Sequence, residues 1–265
     1  MQLKGCSEAK NKHSPVETSC LFHFLILDLS KFNFSLSKYM KVSASKENHL
    51  KAIFHLQQEQ GIVTTNALAA ALSTRPASVT DMLKKLKDQK LLIYERYKGF
   101  KLNNEGKKAA IQIIRKHRLW EFFLVKKLQF GWDEVHEIAE ELEHISSRKL
   151  IDRLDAFLGH PDTDPHGDPI PDQQGRFHTR RQVSLSELPL NKIAQVSGIA
   201  SQTSEMLELL QYNHIRLGTR LEIRKKFPFD NSLEVKVRNR PPVTLSAQVA
   251  KNVLVKDDES PAEKR

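Results

Sequence analysis

Residues Ser73 to Leu102 read STRPASVTDMLKKLKDQKLLIYERYKGFKL, and the order of signals in this stretch decides the fold. Ser73 or Thr74 can cap a helix, and Pro76 is tolerated in its first turn. From Pro76 to about Gln89, Val79, Met82, Leu83 and Leu86 recur at helical spacing and should face inward. Leu91 to Tyr97 and Phe100 to Leu102 then read as two short strands joined at Lys98-Gly99. A helix followed at once by a hairpin is the second half of a winged helix-turn-helix.

Upstream, Leu50, Ile53, Phe54 and Leu56 mark a helix from Asn48 to Gln60, ended by Gly61. A short alanine-rich helix, Ala67 to Leu72, is expected to be capped by Asn66. The winged helix thus spans Gly61 to Leu102, inside a domain expected at 41–112. Downstream, one long helix is expected from Asn104 to about Leu128, another from Trp132 or Asp133 to about Ser146, and a third from Ser147 to Leu158. These fill a helical domain at 113–175. The proline-, glycine- and aspartate-rich run Gly159 to Pro171 should hold neither helix nor strand and should end that domain.

After a linker at 176–186, Leu188 to Gln211 reads as mixed or helical. Ile215 to Ile223, Ser232 to Val237 and Val243 to Ser246 alternate like strands of a small β-barrel-like domain at 187–256. The charged tail at 257–265 is expected to be disordered. The fold class is therefore mainly α with a small β domain. Residues 1–40 share no periodicity with the rest and form an extension, with Met40 expected as the natural start.

Lys and Arg number 42 against 32 Asp and Glu, a net charge of +10. The excess is local. Lys41 to Arg118 holds 16 basic and 6 acidic residues, whereas Leu119 to Gly175 holds 5 basic and 13 acidic. The first segment suits phosphate and the second suits cations. Cys6 and Cys20 are the only cysteines, so neither a disulfide scaffold nor a thiolate metal cluster organises the body, and a reducing, cytoplasmic setting is expected. The apolar run Leu21 to Leu29 is too short to span a bilayer. It also lacks the small-residue cleavage pattern of a secretory signal.

In a helix-turn-helix the first turn of the second helix meets base edges. Here that turn offers Arg75, Pro76, Ala77, Ser78, Thr80 and Asp81, with Lys84, Lys85 and Lys87 behind it for phosphates. Arg96, Lys98 and Lys101 of the wing add further phosphate contacts. A second constellation lies downstream. His136, Glu140, Glu143 and His144 are spaced i, i+4, i+7 and i+8, on one face of a helix, and His117 and Glu121 form an i, i+4 pair on the helix before it. Imidazole and carboxylate donors without thiolate suit Mn²⁺ or Fe²⁺ better than structural Zn²⁺. A binuclear hydrolase would need a nucleophile or base that this set lacks, so no enzyme is expected. A winged-helix regulator with purely structural metal is the nearer alternative.

These motifs resemble the diphtheria toxin repressor family of metal-dependent transcriptional regulators, and within it the manganese transport regulators. The resemblance rests on Arg75 to Met82, Tyr94 to Gly99, Lys116 to Leu119, Val135-His136 with Glu143-His144, and Asp164 to Pro171. It implies a homodimer that binds a palindromic operator when divalent metal is bound, and that represses metal-uptake genes. It implies a main site of Glu140, Glu143 and His144 completed by a residue of the first helix, and a second site of His117, Glu121 and His136. Relatives use Asp or Met on the first helix, where this sequence has Glu47-Asn48, so both are carried as candidates. Iron-sensing relatives have cysteine at the position of Glu140, so glutamate points to Mn²⁺, with Fe²⁺ the alternative. The C-terminal domain resembles an SH3-like, FeoA-type domain that can lend a ligand, and Glu205 is the candidate there.

Overall fold

The computed structural model describes residues 44–145, 147–178 and 181–256. The N-terminal extension, Met40 as a start, and the charged tail lie outside the described residues.

Helix α1 covers residues 44–60 and packs Leu50, Ile53 and Phe54 inward. Helix α2 (Thr65–Ala71) is capped by Thr64, whose extended backbone lets its side chain accept from the Ala67 N–H; the cap expected at Asn66 lies two residues too late, inside the first turn. Helix α3 (Pro76–Asp88) starts at Pro76 behind Arg75, which makes no side-chain cap. The expected Ser73 or Thr74 cap is not made, and the fixed φ of proline suffices to open the helix. Val79, Leu83 and Leu86 are buried as the spacing requires.

Strands β1 (Leu92–Glu95) and β2 (Gly99–Leu102) pair antiparallel as the wing. Val63 and Phe100 exchange backbone hydrogen bonds of 2.9 Å in both directions, which sews the wing to the chain before α2. Gly99 permits this approach: its φ is +138°, and a Cβ there would stand 2.3 Å from the Val63 carbonyl oxygen.

Helix α4 (Asn104–Leu128) is capped by Asn103 and ends at Gln129 in the left-handed region. It serves two cores. Ala110, Ile113 and Ile114 join the winged-helix core, while Leu119, Trp120 and Leu124 join the core of α5 (Val135–Leu142) and α6 (Arg148–Phe157). Helix α5 is shorter than expected: Glu143 caps its end and His144 lies in the turn beyond. The four candidate ligands therefore do not share one continuous helix face.

The run Gly159 to Pro171 has only an isolated Thr163–Pro169 bridge, as its composition requires, but it is no spacer. Asp164, Pro165, His166 and Gly167 are buried. Gly167, at φ +96°, would place a Cβ 2.2 Å from the Ser197 carbonyl oxygen, and Ile199 N–H donates to the His166 carbonyl at 2.9 Å.

The β domain is one antiparallel sheet of order β3-β8-β4-β5-β6-β7, from β3 (Gln182–Ser184), β4 (Ile193–Ile199), β5 (Arg220–Lys226), β6 (Leu233–Val237), β7 (Val243–Leu245) and β8 (Val253–Lys256). Helices α7 (Ser204–Tyr212) and α8 (Ala247–Asn252) cover it. Among the described residues no pairing joins β7 to β3, so the SH3-like domain is seen as a six-stranded sheet. Strand β3 occupies part of the expected linker. In that linker Phe177 stacks on Phe54 of the winged helix at 6.3 Å. Trp132, just before α5, is buried in the β-domain core, so the helical and β domains share packing. Among the described residues no helix is long and apolar enough to cross a membrane.

Candidate metal centre and DNA-reading face

Helix α3 exposes Arg75, Pro76, Ala77, Ser78, Thr80, Asp81, Lys84 and Lys85, and the wing exposes Arg96 and Lys98. Short side chains at its first turn leave the backbone free to approach a groove, with the lysines one and two turns behind. Thr80 donates back to the Pro76 carbonyl at 2.9 Å, which fixes its hydroxyl against the helix. Lys101 differs from expectation: it is half-buried and held 2.6 Å from Glu95, so it braces the wing. Lys87 lies over the Tyr94 ring and Arg96 over Tyr97.

The carboxylate and imidazole donors meet where α1, α4 and α5 converge. His117 is the hub: its Nδ1 is 2.6 Å from Glu143 Oε2, and its Nε2 is 3.0 Å from Glu121 Oε1 and 3.2 Å from His136 Nδ1. Burial alone would push the His117 pKa down, but its contacts with Glu121 and Glu143 outweigh it and hold the pKa up at about 9. A carboxylate beside each ring nitrogen favours the imidazolium, although the angle at Nδ1 falls short of a hydrogen bond to Glu143 and leaves an ion pair there. Glu121 resists burial in the same way, its pKa held well below normal by His117 and His136.

His117, Glu121 and His136 offer donor atoms close enough to share one ion. Glu140, Glu143 and His144 do not form such a group. Glu143 faces His117 and Lys51, Glu140 lies 3.6 Å from His136 Nε2, and His144 Nδ1 turns away to Glu47 Oε2 at 2.7 Å. Lys116 also reaches Glu47, at 3.4 Å. Asn48 lines the adjoining cavity, and its buried Oδ1 has no hydrogen-bond partner among the described residues.

A further cluster was not foreseen. Glu121, Asp164 and His166 bring three buried donor atoms together. His166 Nε2 lies 2.7 Å from the Trp132 carbonyl, which can only accept, so the proton sits on Nε2. Its other nitrogen, Nδ1, is buried, lacks a hydrogen-bond partner among the described residues, and lies 3.8 Å from Glu121 Oε2. A backbone carbonyl fixing the tautomer of an imidazole is the usual support for a metal-binding ring. Burial pushes the Asp164 pKa up, reinforced by Glu121 and Asp168, although Arg118 lies 3.6 Å away. The orphaned atoms Asn48 Oδ1 and His166 Nδ1, with this all-oxygen and nitrogen donor set, fit a divalent ion of intermediate hardness. Glu205 is exposed on α7; from the β domain it is Gln202 that lines the cavity.

The missed residues carried signals. Lys51 falls one helical turn from Glu47 and Asn48, and His166 sits between Asp164 and Asp168 in the run expected to end the helical domain. Arg118, which fastens that run through Asp168 at 2.9 Å, follows His117 directly.

A winged helix whose first helix reaches into a carboxylate and imidazole centre defines the class of metal-responsive DNA-binding regulators. The iron dependent repressor N-terminal DNA binding domain matches residues 41–100, the iron dependent repressor metal binding and dimerisation domain matches 103–172, and the FeoA domain matches 183–257. The HTH-type transcriptional regulator MntR of Oceanobacillus iheyensis is 34% identical over 110 residues, 42% of this chain and 74% of that protein. MntR of Bacillus subtilis is likewise 34% identical over 110 residues, 42% of this chain and 77% of its own.

Among solved structures, a manganese-dependent transcriptional repressor in complex with manganese has a TM-score of 0.71 at 32% identity, covering 80% of this chain and 99% of that one. ScaR with bound Cd²⁺ has a TM-score of 0.66 at 29% identity, covering 80% of this chain and 98% of that one. The chain belongs to the iron-dependent repressor, or diphtheria toxin repressor, family of metal-dependent transcriptional regulators, and is not an enzyme.

Proposed function

We propose that the protein is a manganese-responsive repressor of the cytoplasm, which binds a palindromic operator as a homodimer when Mn²⁺ is bound. The observation that carries this reading is the reach of α1, part of the DNA-reading unit, into the centre: Glu47 meets His144, Lys51 meets Glu140 and Glu143, and Asn48 turns an unpartnered oxygen inward. A change of charge at the centre must therefore be felt by the helix that positions the winged helix.

Glu140, Glu143 and His144, with Asn48 or Glu47, form the main site in this reading. His117, Glu121 and His136 form the second, which His166 and Asp164 extend. A bound divalent ion supplies concentrated positive charge shared between α1 and α5. Coupling between ion and DNA then equals the difference in ion affinity between DNA-competent and other arrangements. The working division is 41–112, 113–175 and 187–256, with α4 common to the first two. Exposed Leu128, Phe130, Leu150 and Phe157 on the helical domain support dimerisation there. Operator affinity titrated against free Mn²⁺ tests the proposal: it rises with the ion and falls with chelator, and affinity indifferent to both rejects it.

A further inference from the structure

We propose that Lys51 is a tethered cation that competes with the metal ion for Glu140 and Glu143, and so sets the metal concentration at which the protein responds. This rests on the assignment of those glutamates as ligands.

The Lys51 ammonium stands 2.8 and 2.9 Å from the two oxygens of Glu143 and 3.3 Å from Glu140 Oε1. That is the placement of a cation shared by two carboxylates. Glu143 is fully buried, and a buried carboxylate stays ionised only beside a positive charge. Lys51 and His117 supply it. The Glu143 oxygens cannot give the same contacts to an ammonium and to an ion, and two cations on one carboxylate repel.

Lysine suits the part of a displaceable occupant. Its charge is compact and its stem is long and flexible, so the ammonium can withdraw without moving the backbone. The cavity that Lys51 lines, about 580 Å³, also presents Glu59 and Asp168, so a displaced ammonium finds other carboxylates. The alternative is a purely structural ion pair docking α1 on α5. The two differ in sign: loss of a structural pair weakens or leaves unchanged the binding of metal, whereas loss of a competitor strengthens it.

The test is Mn²⁺ affinity of the full chain, read by electron paramagnetic resonance of free Mn²⁺ and by competition with a fluorescent chelator. Lys51→Met and Lys51→Gln are expected to bind about tenfold or more tightly, the order of effect of a screened unit charge a few ångströms from the ion. Lys51→Arg, which keeps the charge, is expected to bind no more tightly than the parent. Metal-free Lys51→Met should melt below the parent and regain the difference with Mn²⁺. If neither neutral variant binds more tightly, or if Lys51→Arg tightens equally, the proposal fails. Glu143→Ala in parallel separates this from its premise: a parent stoichiometry unchanged by that substitution removes the ligand assignment itself.

Discussion

Glu47 Oε2 and His144 Nδ1 lie 2.7 Å apart although 97 residues separate them, and they join the first helix of the DNA-reading unit to the turn that ends α5. Both side chains are largely buried, so little solvent screens the contact. The two should therefore behave as one unit. In a double-mutant cycle of Glu47→Ala and His144→Ala, the coupling measured by urea unfolding of metal-free protein is expected to be roughly 0.5–3 kcal/mol, the range for residues in one ion-pair network. Additive losses would show that the contact does not tie the helices.

Glu143 is fully buried between two cationic side chains, with His117 on one side and Lys51 on the other. Glu143→Ala should hold operator affinity at its no-metal level at every Mn²⁺ concentration. Fluorescence anisotropy with a labelled operator reads this directly. The same variant removes the buried carboxylate that His117 and Lys51 share, leaving each with one other carboxylate, so the metal-free protein should also unfold at lower urea, by up to about 3 kcal/mol.

His117 gives the centre a pH dependence of known sign. Its pKa is about 9 in the folded chain against 6.5 for an ordinary histidine. A raised value means that the ring stabilises the metal-free fold fully below pH 6.5, and that this contribution fades as pH climbs through about 9. Metal-free protein should therefore lose thermal stability between pH 7 and 9, and His117→Gln should flatten that decline. Binding of Mn²⁺ at pH 7 should release about one proton per ion from this ring, measurable in weakly buffered solution, with affinity rising toward pH 9.

Much of this was legible in the sequence. The hydrophobic period of α3 and the turn at Lys98-Gly99 are local signals, and the winged helix follows them closely. Helix α4 runs from Asn104 to Leu128 as its pattern requires. The donor residues were legible as types, but their partnering was not. Spacing puts His144 on a helix face only if the helix continues, whereas α5 stops at Leu142 and the turn sends His144 to Glu47. The burial of His166 is not legible, because proline and glycine signal irregular backbone without saying whether that backbone is buried. Strand β3 and the α8–β8 closure were missed for a related reason. A strand of Gln182–Ser184 exists only through its pairing with β8, a contact between distant segments that no local pattern encodes.

The DNA face predicts two kinds of loss. Lys98, exposed at the tip of the wing, offers charge without base-reading geometry. Lys98→Ala should weaken binding to all sequences alike and reduce the slope of log affinity against log salt by about one. Arg75 stands exposed at the start of α3. Arg75→Ala should cost roughly 1–3 kcal/mol and act mainly on the preferred operator, relaxing discrimination at one position of each half-site. Binding isotherms on operator and scrambled duplex at several salt concentrations separate the two.

Gly167 ties the second donor cluster to the β domain. At φ +96°, an L side chain is strained, and an added Cβ would meet the Ser197 carbonyl oxygen at 2.2 Å and Gly198 Cα at 2.5 Å. Neither neighbour is a flexible side chain, so the loop itself must lift. Lifting it strains the Ile199 to His166 backbone bond and moves the ring whose Nε2 is held by the Trp132 carbonyl. Gly167→Ala should therefore destabilise the protein by roughly 1–3 kcal/mol and weaken ion binding at the His166 cluster. The buried contacts of Glu143 lie on α1 and α4 and do not pass through this loop. Binding at Glu140 and Glu143 should thus be retained, and a Mn²⁺ titration that loses only part of its stoichiometry is the expected result. Loss of all binding together would show that the two clusters act as one site.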